Sequence, residues 1–377
     1  MISFSRSSRG MLANWWWTVD KPLLMLIAIL LGIGAILSIS ASTAVSNNLG
    51  RGQFYFILKQ AMFLPLAIGG MLFLSMLGLK SIRRIAVVGY LIAMVLLVWT
   101  LFFGYEVKGA KRWINFGFFS LQPSEFIKPT FIVVTAWLLE AKRRYQDFPG
   151  YRLSIGLFVV TAFLLWKQPD LGMTFVVAAI WVMQLFLAGI PWKYVFALGG
   201  TGVIGAVATY FLQPHMRDRI AQYFAGENNL SYQVSKSLAA FENGGIFGVG
   251  PGEGVVKMHI PDAHTDFVFA VAAEEYGMIL CLGIVALYAA IVIRTMVISC
   301  KDNNLFIILS TCGLVASFGL QSIINIGSTM HLLPTKGMAL PLISCGGSSL
   351  LGMAVTMGML LAITRKNVSA EEKDEEA

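Results

Sequence analysis

Asp266 stands at the entrance of an apolar run, "TDFVFAVAAEEYGMILCLGIVALYAAIVIR", that also carries Glu274 and Glu275. An aspartate with a reference pKa of about 3.9 is ionised at neutral pH and can accept a proton from a hydroxyl. At a helix start it can also cap free N–H groups and meet the helix dipole, and the two roles can coexist. Glu274 and Glu275 lie deeper, where a carboxylate costs roughly 2.5–3.5 kcal/mol unless it faces protein, water or a cation. Adjacent helical residues point about 100° apart. The two glutamates are therefore expected to hold separate ion pairs or hydrogen bonds to neighbouring helices, not to form one acid–base dyad.

Upstream, "GAKRWINFGFFSLQPSEFIK" supplies Lys111, Arg112, Glu125 and Lys128. Glu125 and Lys128 are three apart on one helical face and can pair, after a helix start at Pro123 and Ser124. Together Lys111, Arg112 and Lys128 would make a cationic pocket for phosphate or pyrophosphate, with the arginine able to grip oxygens as a fork. Attraction to anionic lipid headgroups is the plainer alternative. "LLPTKGMALPLISCGGSSLLG" contributes Lys336 and breaks its helical pattern with two prolines and a glycine pair. Irregular backbone at membrane depth is tolerated where it lines a cavity or is buried in protein. The alternative is a tight connection in which Ser348 and Ser349 cap the next helix. The four cysteines show no CxxC spacing and His331 has no second ligand at metal spacing, so neither a disulfide framework nor a zinc site is implied.

These residues need elements to carry them, and the composition says which kind. With 13% charged residues, 57% hydrophobic residues and a mean hydropathy of +0.73, the chain reads as an all-α polytopic membrane protein. Apolar runs between breakers predict about ten spans, near 22–42, 54–77, 84–103, 124–140, 152–167, 172–190, 193–212, 267–293, 304–326 and 346–364. The net charge of +8 is dispersed in short clusters such as "LKSIRR" and "KRRYQDFPGYR", which encode topology and do not point to nucleic acid. The positive-inside rule then places both termini in the cytoplasm. Residues 1–21 form a cytoplasmic lead-in whose Trp15, Trp16 and Trp17 suit an interfacial anchor, residues 22–364 the membrane domain, and residues 365–377 an acidic tail. A long extracytoplasmic loop, 213–265, falls between spans 7 and 8. Its "SYQVSKSLAAFE" is expected to form an amphipathic surface helix and its "NGGIFGVGPGEG" a flexible lid. In "TGVIGAVA", Gly202 and Ala206 are spaced for close helix packing.

Three segments together, "GAKRWINFGFFSLQPSEFIK", "IPDAHTDFVFAVAAEEYG" and "PTKGMALPLISCGGSS", resemble the SEDS family (shape, elongation, division and sporulation proteins). "SAS" at the end of the first span and "QPDLG" from Gln168 support the likeness, which covers about residues 20–364. Lys111 and Lys336 are more like the division members than the elongation members. Cys345 departs from the family, which usually has tyrosine there. The resemblance implies a peptidoglycan glycosyltransferase that polymerises lipid II at the outer face of the cytoplasmic membrane, at the division septum if the division likeness holds. Asp266 is then the catalytic residue, and Lys111, Arg112, Glu125, Lys128, His264, Thr265, Lys336 and Ser344 meet the substrate. Implied partners are lipid II and the growing glycan strand, a class B penicillin-binding transpeptidase, other division proteins and membrane lipids.

The implied chemistry suits that inventory. A pyrophosphate leaves as a stable anion and needs cations in place of a proton, so one carboxylate base with several cations suffices for an inverting transfer. A divalent cation could assist, but the sequence shows no dedicated metal cluster. The rival readings are a flippase or transporter of lipid-linked substrate, since intramembrane acids also mark ion-coupled pathways, the elongation-type polymerase, and a scaffold for the transpeptidase.

Overall fold

The computed structural model describes residues 11–48, 55–107, 110–117, 119–212, 217, 232–334 and 337–366. A short helix α1 (Met11–Thr18) leads into α2 (Lys21–Asn48), α3 (Tyr55–Ser75) and α4 (Leu79–Phe103). A small antiparallel sheet follows, β1 (Tyr105–Val107), β2 (Ala110–Asn115) and β3 (Ser120–Leu121), before α5 (Pro123–Arg144), α6 (Gly150–Lys167), α7 (Leu171–Leu187) and α8 (Trp192–Leu212). Beyond the long connection come α9 (Tyr232–Gly244), a 3₁₀ turn (Val256–His259), α10 (Val268–Ser299), α11 (Leu305–Thr329) and α12 (Gly347–Ile363).

The ten predicted spans correspond to α2 through α8 and α10 through α12. Among the described residues, α2, α3, α4, α6, α10 and α11 are long and apolar enough to cross a membrane, while α7 and α12 are shorter apolar helices. Most are apolar on all sides, as helices are when one side meets lipid and the other protein. In α5, by contrast, the first nineteen positions bury almost every side chain, Glu125 and Lys128 included. It forms the bundle axis with α11 and α12. Small residues allow the close approach: a Cβ on Gly352 would lie 2.9 Å from that of Glu125, and one on Gly358 2.9 Å from that of Leu74.

Both ends of the described chain meet at one end of the bundle. The Lys366 N–H donates to Thr18 O at 2.9 Å, and Arg294 grips the Asp20 carboxylate through Nε at 2.9 Å and Nη2 at 2.8 Å. Burial alone would raise the Asp20 pKa, but the guanidinium and the Leu23 N–H hold it below its ordinary value. Trp15 points inward, its Nε1 donating to Ser75 Oγ at 2.9 Å, whereas Trp16 and Trp17 face out with the Lys21 ammonium over both rings. That division fits an interfacial anchor with one inward pin.

Two expectations about local structure are corrected. Gly202 has nothing within 4 Å of where its Cβ would be, so α8 makes no close packing there within this chain. The glycine-rich segment after α9 is not a loose lid. Gly277 takes φ 74° and ψ −175°, interrupting α10. The break removes the helical bonds that Met278 and Ile279 N–H would make to the carbonyls of Glu274 and Glu275. The incoming segment replaces both sides: Val249 and Gly250 N–H donate to those carbonyls at 2.9 and 3.0 Å, and Met278 and Ile279 N–H donate to Gly245 O and Ile246 O at 3.0 and 3.4 Å. Glycine serves here for close approach. A Cβ on Gly277 would lie 2.3 Å from Ile246 O, and one on Gly248 2.3 Å from Glu275 O. The remainder of the predicted loop, 213–231, lies almost entirely outside the described residues.

Gly277→Ala combines a left-handed φ with a backbone clash. It should destabilise the protein by about 1–3 kcal/mol, read as a lowered thermal midpoint of the purified protein in detergent. Gly32→Ala, inside α2 with open space around its Cβ position, should not lower that midpoint and is expected to raise it slightly.

Candidate active site

At the end of the bundle opposite the paired termini, the helix ends surround a cavity of about 500 Å³. Its wall includes Arg112, Gln122, Glu125, Asp170, Asp262, His264, Thr265, Asp266, Asn325 and Ser348. Asp266 sits in the turn ahead of α10 and is half-buried. The N-cap of α10 is Phe267, with no side-chain cap. The backbone of the turn is clamped carbonyl by carbonyl: Cys345 N–H donates to His264 O at 2.9 Å, Ser344 Oγ to Thr265 O at 2.5 Å and Asn325 Nδ2 to Asp266 O at 2.8 Å. Asn325 also donates to Met338 O at 2.6 Å, tying the turn to the irregular segment before α12. Gly337, at φ 58°, lies so close that a Cβ there would be 3.1 Å from Asp266 Oδ2. The carboxylate is thus presented to the cavity by a turn with little freedom to move.

The three upstream cations do not share a wall. Lys111 and Arg112 are neighbours on β2 and project to opposite faces. Lys111 is exposed across from Glu106, while Arg112 faces the cavity. Its guanidinium donates from Nε to Gln168 O at 2.9 Å and from Nη2 to Pro169 O, with Nη1 3.7 Å from Asp170. Asp170 in turn accepts from Met173 N–H and caps α7. Arg112 is therefore held by the "QPDLG" turn. Lys128 lies behind the wall, 1% exposed, with Nζ 2.7 Å from Glu125 and donating to Gln321 Oε1 at 2.5 Å. Glu125 reaches the cavity; Lys128 neutralises it from within. Lys336 lies outside the described residues. Ser344 is buried and acts through its bond to Thr265, and Thr265 Oγ1 donates to Asp262 O. Ser348 and Ser349 line the cavity, but the N-cap of α12 is Gly346 and neither serine caps it through a side chain.

Burial pushes the His264 imidazole down to about 4, opposed by the Asp262 carboxylate and reinforced by Lys59, so the ring is neutral at physiological pH. Burial likewise pushes the Cys345 thiol up to about 11. Among the described residues no group of three His, Cys, Asp or Glu side chains could hold a metal ion.

Glu274 and Glu275 part as their spacing requires. Glu274 accepts from Asn243 Nδ2 at 3.0 Å, Val256 N–H at 2.8 Å and Lys257 N–H at 2.7 Å, fastening α9 and the 3₁₀ turn to α10. Glu275 accepts from Lys257 Nζ and from Ser40 Oγ of α2, and its pair with Lys257 is fully buried. Lys257, Asp170, Asn325 and Gln321 were not singled out by sequence. For Lys257 a signal existed: a buried acid in an apolar run requires a cation, and this lysine stands in the same connection.

The architecture is that of a polytopic helical membrane protein with a polar cavity at one end. A family model described as "Cell cycle protein", that of FtsW, RodA and SpoVE, matches residues 21–369. The chain belongs to this family. It is 39% identical over 369 residues to the probable peptidoglycan glycosyltransferase FtsW of Caulobacter vibrioides, covering 98% of this chain and 95% of that one. Its identity to the protein of the same name from Aromatoleum aromaticum is 36% over 350 residues, covering 89% and 85%. Among solved structures it is similar to one described as "Structural coordination of polymerization and crosslinking by a peptidoglycan synthase complex", with a TM-score of 0.76 and 26% identity, covering 93% of this chain and 98% of that one. The crystal structure of the Thermus thermophilus rod shape determining protein RodA matches with a TM-score of 0.68 and 26% identity over 93% of this chain and 97% of that one.

Removing one member of the buried Lys257–Glu275 pair leaves an uncompensated charge, so Lys257→Met or Glu275→Gln alone should cost about 3–5 kcal/mol. The double variant should recover much of that, read from thermal unfolding of the three proteins. His264 gives a pH prediction. Its folded pKa lies below the unfolded value, so between pH 6.5 and about 4 the unfolded chain holds the extra proton. Stability is then full above that window and declines as pH falls through it. His264→Gln should flatten this part of the stability–pH curve.

Proposed function

We propose that this chain is a peptidoglycan glycosyltransferase of the division type, polymerising lipid II into glycan strands at the outer face of the cytoplasmic membrane. The observation that carries the reading is a rigidly clamped Asp266 and a fixed Arg112 on the wall of one cavity. The names of the curated relatives and their near-complete coverage support it.

In this reading Asp266 takes the proton of the acceptor sugar hydroxyl as that oxygen attacks the anomeric carbon of the donor. The bond to the lipid pyrophosphate breaks on the opposite side, and the configuration inverts. The leaving diphosphate needs positive charge, which Arg112 supplies at the wall, with Lys336 assigned the same role from the sequence. Glu125 and Lys128 set the wall as a neutral pair, and Lys111 meets headgroup or substrate phosphate outside the cavity. His264, Thr265 and Ser344 position the base. A class B penicillin-binding transpeptidase is the partner that cross-links the product, in line with the synthase complex among the structural neighbours, and the site of action is the septum.

The test uses the full chain reconstituted with labelled lipid II, with and without the transpeptidase. Asp266→Asn should lower strand synthesis by about 10²–10⁴-fold while thermal stability and partner binding stay unchanged. Strand synthesis surviving that change would falsify the assignment and favour a transporter or scaffold. Depletion in cells should give filaments; rounding would indicate the elongation role.

A further inference from the structure

The glycine-rich segment spliced into α10 carries apolar side chains that no part of the described protein covers. Ile246 is 64% exposed and Phe247 79%, and Val249 is also exposed. Their depth can be read from two helices that start from one plane. Asp20, next to the first residue of α2, pairs with Arg294 of α10, and with the termini on the cytoplasmic side, as the positive-inside rule expects, this pair sets the inner plane. From there α2 rises about 28 Å to Ser40, and α10 rises about 24 Å from Arg294 to Met278, at 1.5 Å per residue. The two measures agree, because Ser40 meets Glu275 one turn beyond Met278. A hydrocarbon core of about 30 Å therefore has its outer edge near Glu275 and Ser40. The bonds from Met278 and Ile279 to Gly245 and Ile246 hold the segment just inside that edge.

The surface it joins already faces lipid. Met278, Ile279 and Leu282 are exposed apolar residues of the same span, and Ile246 and Phe247 continue that surface beside them. Backbone at this depth is tolerated only when its polar groups are satisfied, and the splice satisfies four of them. Lys257 and Glu275 are shielded within the protein, so no charge of that pair faces the same lipid.

We propose that this segment is a membrane-seated anchor: Ile246 and Phe247 enter the acyl chains of the outer leaflet. Through the splice they fix the height of the cavity above the bilayer. The partner is lipid hydrocarbon, continuous with the lipid-facing side of α10. The turn at Pro251 and Gly252, carrying the exposed Glu253, stands in water.

Site-directed spin labelling of the full chain in phosphatidylcholine and phosphatidylglycerol nanodiscs tests this independently of any polymerase activity. In a Cys300→Ser background the three remaining cysteines are buried. Labels are placed at Phe247→Cys, with Ile279→Cys as the lipid reference and Glu253→Cys as the water reference. The ratio of oxygen to nickel-chelate accessibility at 247 should match that at 279 and exceed that at 253 several-fold. A ratio like that of 253 would overturn the anchor, as would protection from both reagents, which would mean that a second copy covers the segment. Ile246→Cys gives the same reading should the 247 variant fold poorly.

Discussion

The structure depends on the four-bond splice at Gly277. A transmembrane helix normally satisfies its own backbone, and an interruption leaves donors and acceptors that cost several kcal/mol each in hydrocarbon. Here the two carbonyls and two N–H groups freed by the break are all taken by residues 245–250. The outer part of α10 can consequently leave the path of the lipid-facing span and be buried on all sides. The carboxylates of Glu274 and Glu275 lie in that part, which is why an apolar helix retains them. They meet a lysine, a serine, an asparagine and backbone N–H groups, never lipid. The Asp266 turn then starts from a fixed base about 14 Å beyond the break.

The same logic of satisfied backbone governs the turn itself. Its three successive carbonyls, at His264, Thr265 and Asp266, are each held by a donor from α11 or the segment before α12. Anchoring through the main chain leaves the aspartate side chain as the part that faces the cavity. In the proposed reaction the base must be placed to within a fraction of an ångström of the hydroxyl it serves, and the three main-chain bonds contribute to that placement. Cys345 does this work through its N–H, so the clamp does not depend on which side chain stands at this position.

The helix pattern was legible because apolar length is a property of composition: all ten predicted runs correspond to helices, six of them, among the described residues, long and apolar enough to cross a membrane. The pairing of Glu125 with Lys128 was legible from spacing on one helix. The cationic cluster was not, since spacing alone does not reveal the β-sheet that turns Lys111 and Arg112 to opposite faces. Nor does it show that Lys128 is engaged by Glu125 and Gln321 behind the wall. The glycine-rich segment misled for a related reason. Glycine signals either freedom or close approach, and only the partner backbone, about 30 residues away in sequence, decides which. The Lys257–Glu275 pair has no sequence signature of its own, because a buried ion pair between a span and a loop has no local period.

The balance of charge in the cavity follows from these placements. Among the described residues four carboxylates reach the wall, but Glu125 is neutralised from behind by Lys128, and Asp170 faces Arg112 while capping α7. Their charges stabilise the frame. Arg112 keeps its orientation because two backbone carbonyls hold Nε and Nη2, which leaves part of its fork directed elsewhere. In the proposed reaction a cation fixed in this way would cost little reorganisation as a diphosphate forms beside it, and preorganised charge is worth more than mobile charge for that reason. The proposed base and cation, Asp266 and Arg112, are thus set by backbone contacts from different elements: the turn before α10 for one, the turn between α6 and α7 for the other. Their relative placement is then a property of how the helix ends are joined, not of the lipid-facing surfaces of the spans.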